Sequence, residues 1–204
     1  MMTGAAFVLL AGLAARAEIR IAIDRNIEGV PEFKFKNVPS PLKNDAAATA
    51  KFTIVDGQSD SNGSSLRALN NGRLPEEGDD PGANFFFQAG IDGGRLQLDL
   101  GSVIEIRQVN TYSWHPGDRG PQVYRLYCAE GTATEFSATP KRDMDPVKCG
   151  WKLVAAVDTR PKTGEAGGQY GVSISEAGGS LGKYRYVLFD ISRTEERDTF
   201  GNTF

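Results

Sequence analysis

Residues 94–131, GRLQLDLGSVIEIRQVNTYSWHPGDRGPQVYRLYCAEG, followed at 149–157 by CGWKLVAAV, decide the fold class of this chain. Leu96, Leu98 and Leu100 alternate with Arg95, Gln97 and Asp99, and after a Gly-Ser turn Ile104 and Ile106 alternate with Glu105 and Arg107. A period of two places one set on a buried face and the other toward solvent, the pattern of half-buried strands. The stretch therefore reads as successive antiparallel strands. Helical periodicity is nearly absent from the chain, and no internal repeat, low-complexity tract or coiled-coil pattern occurs.

Working outward, KYRYVLFDIS at 183–192 is the most strand-like run: Val187, Phe189 and Ile191 share one face, Tyr186 and Leu188 the other. Apolar residues on both faces imply a central strand covered on both sides. Upstream, Phe85, Phe86 and Phe87 enter the same core after a long loop, QSDSNGSSLRALNNGRLPEEGDDPGAN, rich in turn formers. A loop of that length in a compact domain points to function or to an ion that orders it. The 24 glycines and 10 prolines fall mostly between apolar runs, as tight turns between short strands require.

With 204 residues, 40% hydrophobic and 24% charged, the chain is long enough to bury one proper core. A net charge of −3 and the lack of any Lys/Arg cluster remove the electrostatic footprint that nucleic acid requires. Residues 1–17 carry an apolar stretch from Ala5 to Ala15, too short to cross a bilayer, ending in the small residues Ala15 and Ala17 of an A-x-A cleavage site. This reads as a signal peptide, and so as a secreted or cell-surface protein. Residues 18–50 read as an opening strand and a Pro- and Lys-containing lead-in that wraps the domain, and residues 51–204 as the sandwich domain itself. In an exported chain the two cysteines, Cys128 and Cys149, are expected to pair. Such a bridge is worth roughly 3 kcal/mol in the chain-entropy model. The alternative is two free thiols, with Cys128 a small buried hydrophobe beside Tyr124 and Leu126. Two cysteines and one histidine do not make a structural zinc site.

The order of LNNG, the Phe run, RLQLDLG, IRQVNTYSW, VYRLYCAEG, a Trp opening WKLVA and a late YRYVLFDIS resembles the discoidin family, the coagulation-factor C-type, galactose-binding-like jelly roll, in a subgroup of exported bacterial proteins. The resemblance spans roughly Lys51 to Ser192 and implies an antiparallel β-sandwich that binds ligands without catalysis. Members close the sandwich with a final strand after the loop that here reads RTEERDTFGNTF, so the resemblance leaves the last strand in question. The family's pair of terminal cysteines is absent, so Cys128 and Cys149 are not that bridge.

The chemistry available favours binding over catalysis. His115 is the sole imidazole, no G-x-S-x-G accompanies it, and the acids Glu76, Glu77, Asp79 and Asp80 lie in a turn-rich segment where carboxylates are solvated or hold cations. A pyranose needs an aromatic face and planar polar groups. Tyr112, Trp114, His115, Asp118 and Arg119 offer both around the turn-forming Pro116-Gly117, with Arg73 and Tyr170 as further loop candidates. The plain alternative is that Trp114 caps the core and Arg119 pairs with Asp118 or an acidic loop. For calcium, Asn71, Asp79 and Asp80 bracket the LNNG turn and supply oxygen donors, and jelly-roll modules often hold a structural calcium near this position. Those residues also serve turn geometry alone.

The expected protein is therefore a carbohydrate-binding or adhesion module of an exported chain, its expected partners a glycan or cell-surface ligand and adjoining domains of a longer chain. Apart from Trp114 the candidate loops are polar, which argues against a membrane-lipid partner. A different expectation is a structural accessory domain with no ligand of its own. The two differ in whether Tyr112, Trp114 and Arg119 line an open groove or are buried and paired.

Overall fold

The computed structural model describes residues 18–28, 30, 34–75, 80–194 and 202–203. The signal-peptide segment 1–17 and Asp79 lie outside the described residues. The strands are β1 (Ile19–Asn26), β2 (Lys51–Asp56), β3 (Phe86–Phe87), β4 (Gly93–Ile106), β5 (Gln108–His115), β6 (Val123–Ala129), β7 (Lys152–Asp158), β8 (Gly168–Glu176), β9 (Gly182–Ser192) and β10 (Asn202–Thr203). They form a three-stranded sheet in the order β1-β8-β5 and a five-stranded sheet in the order β2-β4-β9-β6-β7. All pairings are antiparallel. The two sheets pack as a β-sandwich, the class that the alternating runs imply.

The core between the sheets is built by alternate residues. Leu96 and Leu98 of β4, Tyr124, Leu126 and Cys128 of β6, Val172 and Ile174 of β8, and Val187, Phe189 and Ile191 of β9 all meet there. The intervening residues of the five-stranded sheet, Val55, Tyr127, Ala129 and Leu188, form a second apolar cluster with Cys149, Trp151, Phe136 and Tyr186. β9, the run with apolar residues on both faces, is the middle strand of its sheet.

This division by face corrects the cysteine expectation. Cys128 points into the inter-sheet core and Cys149 belongs to the cluster on the opposite side of the five-stranded sheet, so both are buried free thiols. Burial pushes the Cys128 thiol up to about 12. The residues expected to face solvent from β4 also differ. Arg95 and Gln97 are only 4% and 6% exposed, because residues 136–151 fold back over that face. The expected Gly-Ser turn is a bulge instead. Pairing with β9 jumps from Asp99 to Ile104, Gly101 takes the left-handed φ of +80°, and a single 14-residue strand runs through.

At the two ends of the chain, strands return to the sandwich. β1 pairs along its full length with β8, so the three-stranded sheet includes residues placed ahead of the boundary at Lys51. The segment after it lies on the outer face of that sheet. Val38 is buried, Phe35 and Val38 pack on Gly171, and Asp24 accepts backbone N–H bonds from Asn37 and Val38. A short closing strand is also present, with Asn202 and Thr203 pairing with Phe87 and Phe86.

Candidate functional site

β5 is an edge strand, and its far side is closed by loops rather than by a fourth strand of its sheet. The loops come from residues 40–47, 69–75 and 83–85, and between them and β5 lies a cavity of about 450 Å³. Phe52, Leu98 and Phe189 supply apolar walls, while Asn71, Arg73 and Tyr112 bring polar groups.

Local chemistry explains how the rim is held. The Asn70 side-chain amide donates to the Ala47 carbonyl at 2.9 Å, and Asn71 Oδ1 accepts from the Arg73 backbone N–H at 2.8 Å. Between them Gly72 adopts φ +67°, and a Cβ there would lie 2.6 Å from the Lys43 nitrogen, so the LNNG turn admits the neighbouring loop only because it ends in glycine. Arg73 itself is exposed, and its guanidinium makes no ion pair among the described residues. Tyr112 is half-buried, its ring 5.9 Å from that of Phe35 and its hydroxyl donating to the Pro39 carbonyl at 2.5 Å. Burial, with a smaller effect of the Asp45 charge, pushes the phenol up to about 12. It is a neutral donor throughout the physiological range.

One residue of this wall went unselected in the sequence. Asn110 lines the cavity, and its side-chain carbonyl oxygen is buried without a hydrogen-bond partner. Leaving such an acceptor unpaired costs about 1–3 kcal/mol. Nothing in the run QVNTYSW distinguishes Asn110 from an ordinary outward-facing polar residue, so sequence periodicity carries no signal for it. Next to it, Thr111 is satisfied, its hydroxyl 2.5 Å from Gln122 Oε1 and 2.8 Å from the Tyr124 hydroxyl.

The other sequence candidates are not brought to the cavity. Trp114 is 5% exposed and Tyr170 is 1% exposed. Both therefore fill the fold rather than stand on a loop tip. Tyr170 donates its hydroxyl to the Ala166 carbonyl at 2.9 Å and lies beneath the Arg25 guanidinium. His115 and Arg119 close their own turn: the Gly117 N–H donates to His115 Nδ1 at 2.9 Å, and Arg119 Nη2 lies 2.7 Å from Nε2. Tyr112 and Arg73 are thus the only two of the six ligand candidates that meet in one cavity.

The described residues expected to hold a cation are engaged in local turns. Asn71 Oδ1 is committed to the Arg73 N–H, and Asp80 Oδ1 caps the short 3-10 turn at Pro81–Ala83 by accepting the Ala83 N–H. Among the described residues no three His, Cys, Asp or Glu side chains gather to hold a metal ion. The described members of the set therefore serve turn geometry.

Fold and cavity together define an antiparallel β-sandwich with a small-molecule-sized pocket at one strand edge. No family model matches the chain, and no curated protein matches it. Among solved structures, a Ruminococcus gnavus GH29 fucosidase mutant in complex with fucose is similar at 13% identity and a TM-score of 0.35, over 76% of this chain and 28% of that one. The GH29 protein SpGH29 is similar at 16% identity and a TM-score of 0.35, over 76% of this chain and 29% of that one. The chain spans less than a third of the length of these structures, and a likeness this low carries no function across.

Proposed function

We propose that this chain is a non-catalytic carbohydrate-binding or adhesion module of discoidin type from an exported protein, with the cavity beside β5 as its ligand site. The observation that carries the reading is the cavity of about 450 Å³ lined by Tyr112, Arg73 and Asn110, whose side-chain carbonyl oxygen is buried without a hydrogen-bond partner. Its size falls within the range of about 300–1,000 Å³ typical of small-ligand sites. A sugar hydroxyl is the donor that the Asn110 oxygen lacks, and the exposed Arg73 fork and the neighbouring Asn71 suit planar recognition of further oxygens. The pocket's aromatic and aliphatic walls suit the C–H face of a ring. The turn at 114–119 is not part of this site.

A glycan-array screen of the chain, run in calcium and in EDTA, tests the reading. The expected result is a hit that Arg73→Ala and Asn110→Ala each weaken at least about tenfold, the loss of one charge-assisted or buried hydrogen bond. EDTA is expected to leave the hit unchanged. Silence from folded protein, or a hit indifferent to both substitutions, overturns the cavity as a glycan site. The burial of Trp114 and the local pairing of Arg119 favour the second reading in that case, a structural accessory domain without a ligand.

A further inference from the structure

The two sheets end in four strand edges, and they are finished differently. Loops close the edge at β5, and β7 presents Lys152 and meets β6 through a register break at Leu126/Tyr127. β1 has none of these devices. It is eight residues long, pairs with β8 without a break, contains neither Gly nor Pro, and leaves Ile21 and Ile23 40% and 46% exposed. No strand among the described residues lies on its outer side. A long regular edge of this kind is a template for another strand.

The sequence of β1, IRIAIDRN, says which strand fits. Laid antiparallel on a second copy with Ala22 opposite Ala22, it sets Arg20 against Asp24 and Ile21 against Ile23, twice each by symmetry. A slip by one residue in either direction destroys this. One slip places Arg20 against Arg25 and Ile21 against Asp24, and the other places Ile19 against Asp24 and Arg20 against Ile23. The faces agree as well. Ile21 and Ile23 pair with Ile174 and Val172, which belong to the core side, while Arg20 and Asp24 pair with Ser175 and Gly171 on the outer side. On the outer face the exposed Arg20 would meet the Asp24 carboxylate, which also accepts from Asn37 and Val38, and matched aliphatic side chains would meet at the core face, the arrangement that fixes register in a sheet.

We propose that β1 is a homodimerisation edge, pairing with β1 of a second copy across a two-fold axis at Ala22 to join two three-stranded sheets into one. The contact is isologous and closes on itself, so it yields a dimer and not a filament. It is independent of the cavity, which lies at the opposite edge of the same sheet.

Sedimentation equilibrium of the chain at concentrations up to about 100 µM, where even weak pairing registers, is expected to give about twice the single-chain mass of 22.0 kDa. Arg20→Glu sets Glu against Asp24 and is expected to weaken the dimer about tenfold. Ile21→Lys is expected to abolish it. Arg20 and Ile21 are both exposed, so thermal unfolding of either variant should match the parent at equal monomer content. Mild oxidation of Ala22→Cys should trap a covalent dimer, whereas Arg20→Cys, whose opposite number is Asp24, should not. Single-chain mass throughout the range, or a dimer that neither substitution weakens and Ala22→Cys does not trap, overturns the proposal.

Discussion

Asp99 shows how much a single side chain does in this sandwich. It stands where β4 bulges away from β9, and its carboxylate takes both a bidentate pair of bonds from Arg185, at 2.7 and 2.8 Å, and the Gly101 N–H at 2.8 Å. The bond from Arg185 is the main reason its carboxyl is held below the ordinary aspartate value, against the opposing effect of burial. A group depressed in the folded state stabilises at pH above its unfolded pKa, near 3.9, and loses that contribution as pH falls through the lower folded value. Asp99→Asn is therefore expected to cost up to about 1 kcal/mol at neutral pH, because the pair is partly solvated. The cost should shrink toward zero in acid, below about pH 3. Urea denaturation of both proteins at neutral and acid pH measures it, and a cost that persists unchanged in acid rules out the ion pair as its source. The sequence marked Asp99 only as one of the polar residues alternating with the leucines of β4. It marked Trp114 and Tyr170 as loop aromatics for the same reason that it missed their burial: an aromatic beside a glycine-containing turn has the same local signature whether it packs inward or outward. Only tertiary contacts such as that of Tyr170 with Arg25, far off in sequence, settle which.

At the scale of elements, the alternation of β4 and β9 was legible and the cover over their outer face was not. Period two assigns residues to faces, and it does so correctly here for Leu96, Leu98, Val187 and Phe189. It carries no information on whether the second face meets water. Arg95 shows the difference, because its guanidinium is held by Asp190 at 3.1 Å and by the carbonyls of Pro140, Lys141 and Met144. One buried cation thus ties the 130–150 excursion to the sheet, with no disulfide between Cys128 and Cys149. Arg95→Ala strips donors from three carbonyls and leaves Asp190 with Arg142, 3.8 Å away, as its remaining ion-pair partner. Breaking a buried pair from one side costs about 3–5 kcal/mol. The expected outcome is a fall of about 3 kcal/mol in urea-unfolding free energy, near the low end because Arg142 remains. Protease cleavage within residues 130–150 should precede global unfolding. Stability equal to the parent would mean that the excursion is held by the Phe136, Trp151 and Tyr186 cluster alone.

For the whole molecule, the cavity beside β5 sets stability against binding. A sandwich optimised only to fold would fill a space of about 450 Å³ and would not leave the Asn110 carbonyl buried without a partner. Sites kept for function are where such local rules are broken, at a cost that the rest of the fold absorbs. Asn110→Leu removes the orphan acceptor and adds apolar surface to the wall of the cavity. It is therefore expected to raise the unfolding free energy by about 1 kcal/mol, the lower end of the cost of an unpaired buried acceptor. The same variant should lose the array hit, since it can no longer accept a hydroxyl. Opposite signs in the two measurements are what a binding site predicts, because no purely structural role for Asn110 gains stability when the amide is removed. If Asn110→Leu instead lowers stability, the amide is holding the loops around β5 together, and the cavity is a by-product of how they pack.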